Sequence, residues 1–155
     1  MAFIGNTPTS YNITNMNLEL KHSLTVKEYN SLRKSVNWKE LPEAQAERGL
    51  KNTYYLTAAV LDGQTVGMAR LISDGGYVAY LADVVVNENY QGLGIGRRIM
   101  NDMLDYIKNT LSQGDQVMVI LVAAKGKEEF YTKMGFIQRP NETYGAGMTL
   151  WLQSE

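Results

Sequence analysis

A chain of 155 residues, 45% of them apolar and with a net charge of −1, fits one globular domain with a real core, spanning residues 1–155. The charge balance gives no basic face for nucleic acid, the absence of cysteine removes disulfide frameworks and thiolate chemistry, and one histidine, His22, cannot build a multi-histidine metal site. No apolar run approaches bilayer length and the first eleven residues lack the regions of a signal peptide, so a cytoplasmic protein with no metal and no membrane partner is expected.

In chain order, residues 1–15 are rich in Asn, Thr and Ser and read as a mobile or loosely paired segment. Leu18 to His22 alternates like a strand. Thr25 to Val36 reads as a helix, with Thr25 as N-cap and Glu28 completing a capping box. A loop, Trp38 to Pro42, leads into a second helix over Pro42 to Leu50, with proline in its first turn. Tyr54–Leu61 and Thr65–Ile72 flank Asp62-Gly63, a hairpin signal. Asp74-Gly75-Gly76 marks the next turn before Tyr77–Val86, giving an antiparallel meander whose last strand is apolar on both faces, as a central strand is.

Arg97 to Leu111 has the clearest helical period, with Ile99, Met103, Ile107 and Leu111 recurring every four residues. Val117–Ala123 reads as a strand, so strand, helix and strand form a βαβ unit with parallel strands. Lys127–Met134 reads as a short helix capped by Gly135. Two further strands, near Phe136–Arg139 and Met148–Leu152, are expected to complete a mixed sheet. Leu150, Trp151 and Leu152 place apolar groups on both faces of the last one, which suits either a homodimer contact or a core strand.

The chemistry concentrates in Gln91-Gly92-Leu93-Gly94-Ile95-Gly96, between a strand and a helix. A helix start offers unpaired backbone N–H groups and the positive end of its dipole, and glycine lets them approach an anion closely. The turn therefore reads as a phosphate or pyrophosphate cradle. A P-loop is excluded, because Arg97 and Arg98 stand where Lys and Ser or Thr are needed. A dinucleotide fingerprint fits poorly, because the glycines are spaced G-x-G-x-G. The coenzyme A loop Q/R-x-x-G-x-G/A fits at Gln91, Gly94 and Gly96.

With Leu81-Ala82-Asp83-Val84-Val85-Val86 before this loop and Phe130-Tyr131-Thr132-Lys133-Met134-Gly135-Phe136 after it, the chain resembles the GNAT superfamily of acyl-CoA-dependent N-acyltransferases over roughly Tyr54 to Phe136. The resemblance implies an α+β (mixed α/β) fold: a mostly antiparallel mixed sheet of six to seven strands with about four helices, split between strands 4 and 5. It implies acetyl-CoA as cosubstrate and a small-molecule amine as acceptor. A protein or peptide N-acetyltransferase, or a non-catalytic acyl-CoA-binding regulatory module, is the alternative.

The same resemblance distributes the roles. Backbone N–H groups of Gln91, Gly92, Leu93, Gly94, Ile95, Gly96 and Arg97 would wrap the pyrophosphate, with Arg97 and Arg98 adding charge; Arg98 reads equally as a solvated helix start. The backbone of Val84, Val85 and Val86 would pair with the pantetheine arm as a surrogate strand. Tyr131 would protonate the leaving thiolate, uphill by about 2 kcal/mol from the ordinary phenol and thiol pKa values. Asp83 would either organise the site, help deprotonate the amine through water, or serve a loop N–H; the Glu that some relatives carry before it is Ala82 here. Trp38, Glu40 and Tyr144 would line the acceptor pocket, with Glu43 and Glu47 on a helix face that reads either as an amine-attracting cluster or as a solvated surface. Tyr144-Gly145-Ala146-Gly147 reads as a flexible lid or an ordinary glycine hairpin.

Overall fold

The computed structural model describes residues 17–154, so the expected loose segment over residues 1–15 lies outside the described residues. The chain divides into two compact units, one ending at Ile120 and one starting at Leu121.

The first unit is built on strands β1 (Leu18–Lys21), β2 (Tyr55–Leu61), β3 (Gln64–Ser73) and β4 (Val78–Val86). With β5 (Met118–Leu121) they make a five-stranded mixed sheet in the order β1-β2-β3-β4-β5. The pairings β2–β3 and β3–β4 are antiparallel, as the meander predicted, and β1 adds antiparallel to β2. Asp62 and Gly63 both have positive φ, 48° and 80°, which is the two-residue turn whose twist matches its flanking strands. At the next turn the Asp74 carboxylate accepts the Gly76 N–H at 2.8 Å.

Helix α1 (Val26–Ser35) starts where the sequence places its cap. The Thr25 side chain accepts the Glu28 N–H at 3.2 Å, and the Glu28 carboxylate accepts the Thr25 N–H at 2.8 Å. Helix α2 (Glu43–Lys51) follows Pro42, which stands at the N-cap rather than inside the first turn. Tyr29 and Leu32 of α1 and Ala46 of α2 pack with Met68 and Val85 on one face of the sheet. Helix α3 (Ile95–Thr110) buries Ile95, Ile99, Met100, Met103 and Ile107 against β2, β3 and β4. It begins two residues before the expected Arg97, because Gly94 takes the N-cap position.

The second unit contains α4 (Glu128–Thr132), closed by Gly135 at φ 95° and by the Tyr131 carbonyl, which accepts the N–H groups of Met134 and Phe136 at 2.9 and 3.2 Å. The strands expected at Phe136–Arg139 and Met148–Leu152 are absent among the described residues, so the sheet has five strands rather than six or seven. A strand exists only through its ladder of partners, and these runs have none. Met148, Leu150, Trp151 and Leu152 are correspondingly 96%, 81%, 85% and 84% exposed, so the last run is not the core strand that its composition suggested.

Candidate active site

Between β4 and α3 the chain makes a 3-10 turn, Glu88–Tyr90, which has no signal in the residue pattern. Asn87 fastens it at both sides: its N–H donates to Val66 O at 2.8 Å and its side chain accepts the Asn89 N–H at 3.1 Å. The glycine turn follows from this fixed point. Gln91 leaves it extended, at φ −70° and ψ 157°, and its side-chain amide donates back to Val86 O at 2.9 Å. That bond ties the turn to the end of β4.

Gly92 and Gly94 then adopt left-handed backbone, at φ 77° and 79°. An L side chain is strained there, so these two positions require glycine. A Cβ built on either would meet no heavy atom within 4 Å, so open space surrounds the outer side of the turn. Gly94 caps α3 without any side-chain bond, and the first intrahelical donor is Arg98 N–H, to Gly94 O at 3.1 Å. The N–H groups of Ile95, Gly96 and Arg97 thus form the first turn of a sixteen-residue helix with no carbonyl above them. Ile95 is 1% exposed and anchors this turn in the core, while Arg97 and Arg98 are exposed at its rim. Open space, oriented N–H groups, the dipole and two arginines fit a diphosphate.

Val84 and Val86 are half-buried and Val85 is buried, its side chain packed with Met68 and Tyr29. The register slips just before them: Arg70 pairs with Ala82 and Met68 with Val85, so Asp83 and Val84 together face Ala69 alone. This is a β-bulge. Asp83 occupies it with φ 50°, unusual for a residue with a side chain.

The bulge aims the Asp83 carboxylate into a network of cations. One oxygen accepts Arg70 Nε and the Tyr29 hydroxyl, both at 2.7 Å, and the other accepts Arg33 Nη1 at 3.3 Å. All three charged side chains are only 12–15% exposed. Burial, followed by the Asp83 carboxylate, pushes the Tyr29 hydroxyl pKa up, so it stays a donor. Trp38 and Glu40 lie at the surface of the α1–α2 loop. The Arg33 guanidinium sits 5.4 Å from the Trp38 ring centre and donates through Nε to Lys39 O at 2.9 Å. The structure thus joins Asp83 to the loop carrying Trp38 and Glu40. The joining residue, Arg33, had no sequence signal, since a lone arginine on an amphipathic helix reads as a solvated charge. Glu43 and Glu47 are exposed on α2.

Tyr131 and Tyr144 belong to the second unit. Tyr131 is 8% exposed, edge-on to Phe130 and Phe136 at 5.0 and 6.0 Å, and burial pushes its pKa up from the ordinary 10. Tyr144 is 44% exposed beneath the Arg139 guanidinium at 4.5 Å, and its N–H is held by the Asn141 side chain at 2.9 Å. Among the described residues, no group of three or more His, Asp or Glu could hold a metal ion, and no helix is long and apolar enough to cross a membrane.

A family model described as acetyltransferase (GNAT) domain matches residues 25–151. An uncharacterized N-acetyltransferase, ycf52, of Porphyra purpurea is 30% identical over 127 residues, covering 79% of this chain and 71% of the relative. A solved protein of unknown function from meticillin-resistant Staphylococcus aureus, named as a probable acetyltransferase, superposes with a TM-score of 0.77 at 30% identity, over 87% of this chain and 99% of its own. An aminoglycoside N-acetyltransferase solved in complex with CoA shares the fold at a TM-score of 0.64 and 14% identity, over 89% of this chain and 95% of its own.

Proposed function

Because the chain belongs to the acetyltransferase (GNAT) family, we propose that it transfers the acetyl group of acetyl-CoA to a primary amine of a small molecule by direct attack. The observation that carries this reading is the left-handed turn at Gly92 and Gly94, which caps α3 without any side-chain bond to its first N–H groups and leaves space where a Cβ would stand at either glycine. The acetyltransferase neighbour solved with CoA supports the same cosubstrate.

When bound, the cosubstrate supplies an acyl thioester. The chain's own residues hold it, orient the acceptor and move a proton. N–H groups of residues 92–97 grip the diphosphate, the Gln91 N–H being donated to Glu88 O at 3.4 Å instead, and Arg97 neutralises part of its charge. The backbone of Val84, Val85 and Val86 pairs with the pantetheine amides, and a backbone N–H there polarises the thioester carbonyl. Tyr131, kept protonated by burial, donates its phenolic proton to the departing sulfur. Trp38, Glu40 and Tyr144 border the acceptor. Asp83, with both oxygens bonded to cations or to Tyr29, organises the site.

Thiol release from acetyl-CoA against matched panels of small amines and lysine peptides tests the proposal. Turnover with small amines is expected. Turnover with peptides alone would replace the acceptor class, and calorimetric binding of acetyl-CoA with no turnover on either panel would mark a non-catalytic acyl-CoA-binding module.

A further inference from the structure

One carboxylate holds both walls of the α1–α2 region to the strand beside the glycine turn. Through Arg33 it reaches the loop: Arg33 Nη1 bonds Asp83 at 3.3 Å, Nε bonds Lys39 O at 2.9 Å, and the guanidinium lies 5.4 Å from the Trp38 ring centre. The Trp38 N–H in turn donates to Arg33 O at 2.9 Å. Through Arg70 it reaches the end of α2: Nε bonds Asp83 at 2.7 Å, while Nη1 donates to Gly49 O at 3.0 Å and Thr53 Oγ1 at 2.9 Å. Tyr29 fills the space between the two arginines, each guanidinium 5.6 Å from its ring centre. The carboxylate itself is aimed by backbone, since Asp83 sits in the β4 bulge at φ 50°. A surface salt bridge contributes little, but a mostly buried, multiply bonded one fixes geometry.

We infer that Asp83 and Arg33 are positioning residues that couple the β4 bulge to the acceptor loop, so that the strand beside the cosubstrate and the wall around the amine keep one registration. The inference rests on the acetyltransferase reading for its kinetic consequence and on the network alone for its structural one. It also separates Asp83 from proton transfer. Both carboxylate oxygens already accept hydrogen bonds from side chains of the network, Oδ2 from Arg70 and Tyr29 and Oδ1 from Arg33, which commits Asp83 to holding these groups in place.

The test uses the full chain with Trp151→Phe, so that Trp38 is the sole tryptophan reporter. In that background, Arg33→Gln and Asp83→Asn are each expected to raise acrylamide quenching of Trp38. Together they should raise it no more than either alone, because they break one connection. Unchanged quenching in either folded variant overturns the inference. Kinetically, each variant is expected to raise KM for the amine about tenfold, with acetyl-CoA affinity and the acidic limb of the pH–rate profile unmoved. Loss of that limb in Asp83→Asn, with KM for the amine unchanged, would make Asp83 a base and overturn the inference. Arg33→Lys keeps the charge but not the fork, and is expected to restore less than half of the lost affinity. Should Asp83→Asn fail to fold, Arg33→Gln carries both readouts. If the wild type turns over no amine, the acetyltransferase reading fails while the quenching result still decides the coupling.

Discussion

Gly67 of β3 lies directly under Ile99 of α3: a Cβ on Gly67 would stand 2.9 Å from Ile99 Cδ1 and 3.1 Å from Val85 O. Ile99 is fully buried, one turn beyond the glycine turn, so the helix that presents its N–H groups approaches the sheet as closely as a missing side chain allows. Both neighbours belong to elements that border the proposed cosubstrate.

Gly67→Val should therefore lift α3 and shift β4 together. Overpacking of this kind costs about 1–3 kcal/mol. Urea unfolding should report that loss, and acetyl-CoA binding should weaken in the remaining folded protein. A variant as stable as wild type would mean that Ile99 rotates aside without cost.

Gly94→Val separates the turn from the fold. The residue has φ 79°, where a β-branched side chain costs about 1–2 kcal/mol, yet its Cβ meets nothing within 4 Å. The expected protein is folded by circular dichroism but binds no acetyl-CoA in calorimetry. Undiminished binding would move the diphosphate away from residues 92–97.

Tyr131→Phe removes one hydroxyl from a side chain that is 8% exposed. Acetyl-CoA affinity should stay within about twofold, while kcat falls about 10²-fold or more, the scale of a lost general acid. Equal rates across the pH range would take the proton-donor role from Tyr131.

Glu28 makes the acid stability of α1 measurable. Burial pushes its carboxyl up, but hydrogen bonds from Lys21, Thr65 and Thr25 outweigh this and hold it down at about 2, against an ordinary 4.5. A depressed carboxylate contributes stability that is fully present above pH 4.5 and is lost as pH falls through about 2. Glu28→Gln is thus expected to be less stable than wild type at pH 7, with the gap narrowing between pH 4.5 and 2. Denaturant titrations at several pH values check it. A gap that stays constant down to pH 2 would show that the Lys21 and Thr65 bonds give no charge-dependent stability.

Most of the fold was legible because its signals are local. Thr25 and Glu28 form the predicted capping box, Asp62-Gly63 the predicted hairpin turn, and Ile99, Met103 and Ile107 the buried stripe of α3. The glycine turn was legible for the same reason, since left-handed backbone at Gly92 and Gly94 is a property of those residues themselves. Two things were not. The C-terminal runs have strand composition, but composition cannot provide a pairing partner, and Leu150 and Trp151 remain exposed. The surroundings of Asp83 were equally hidden, because Tyr29, Arg33 and Arg70 come from other elements and only a bulge opposite Ala69 turns the carboxylate toward them.

Residue type and short-range spacing were enough to specify the helices, the meander and a left-handed glycine turn at a helix start, since each depends on caps, periodicity or glycine within a few positions. Tertiary structure alone decided which charges meet Asp83, how close α3 lies to Gly67 and where the sheet stops. Those outcomes depend on contacts between distant segments, and a one-residue slip in β4 changes the direction of every side chain that follows.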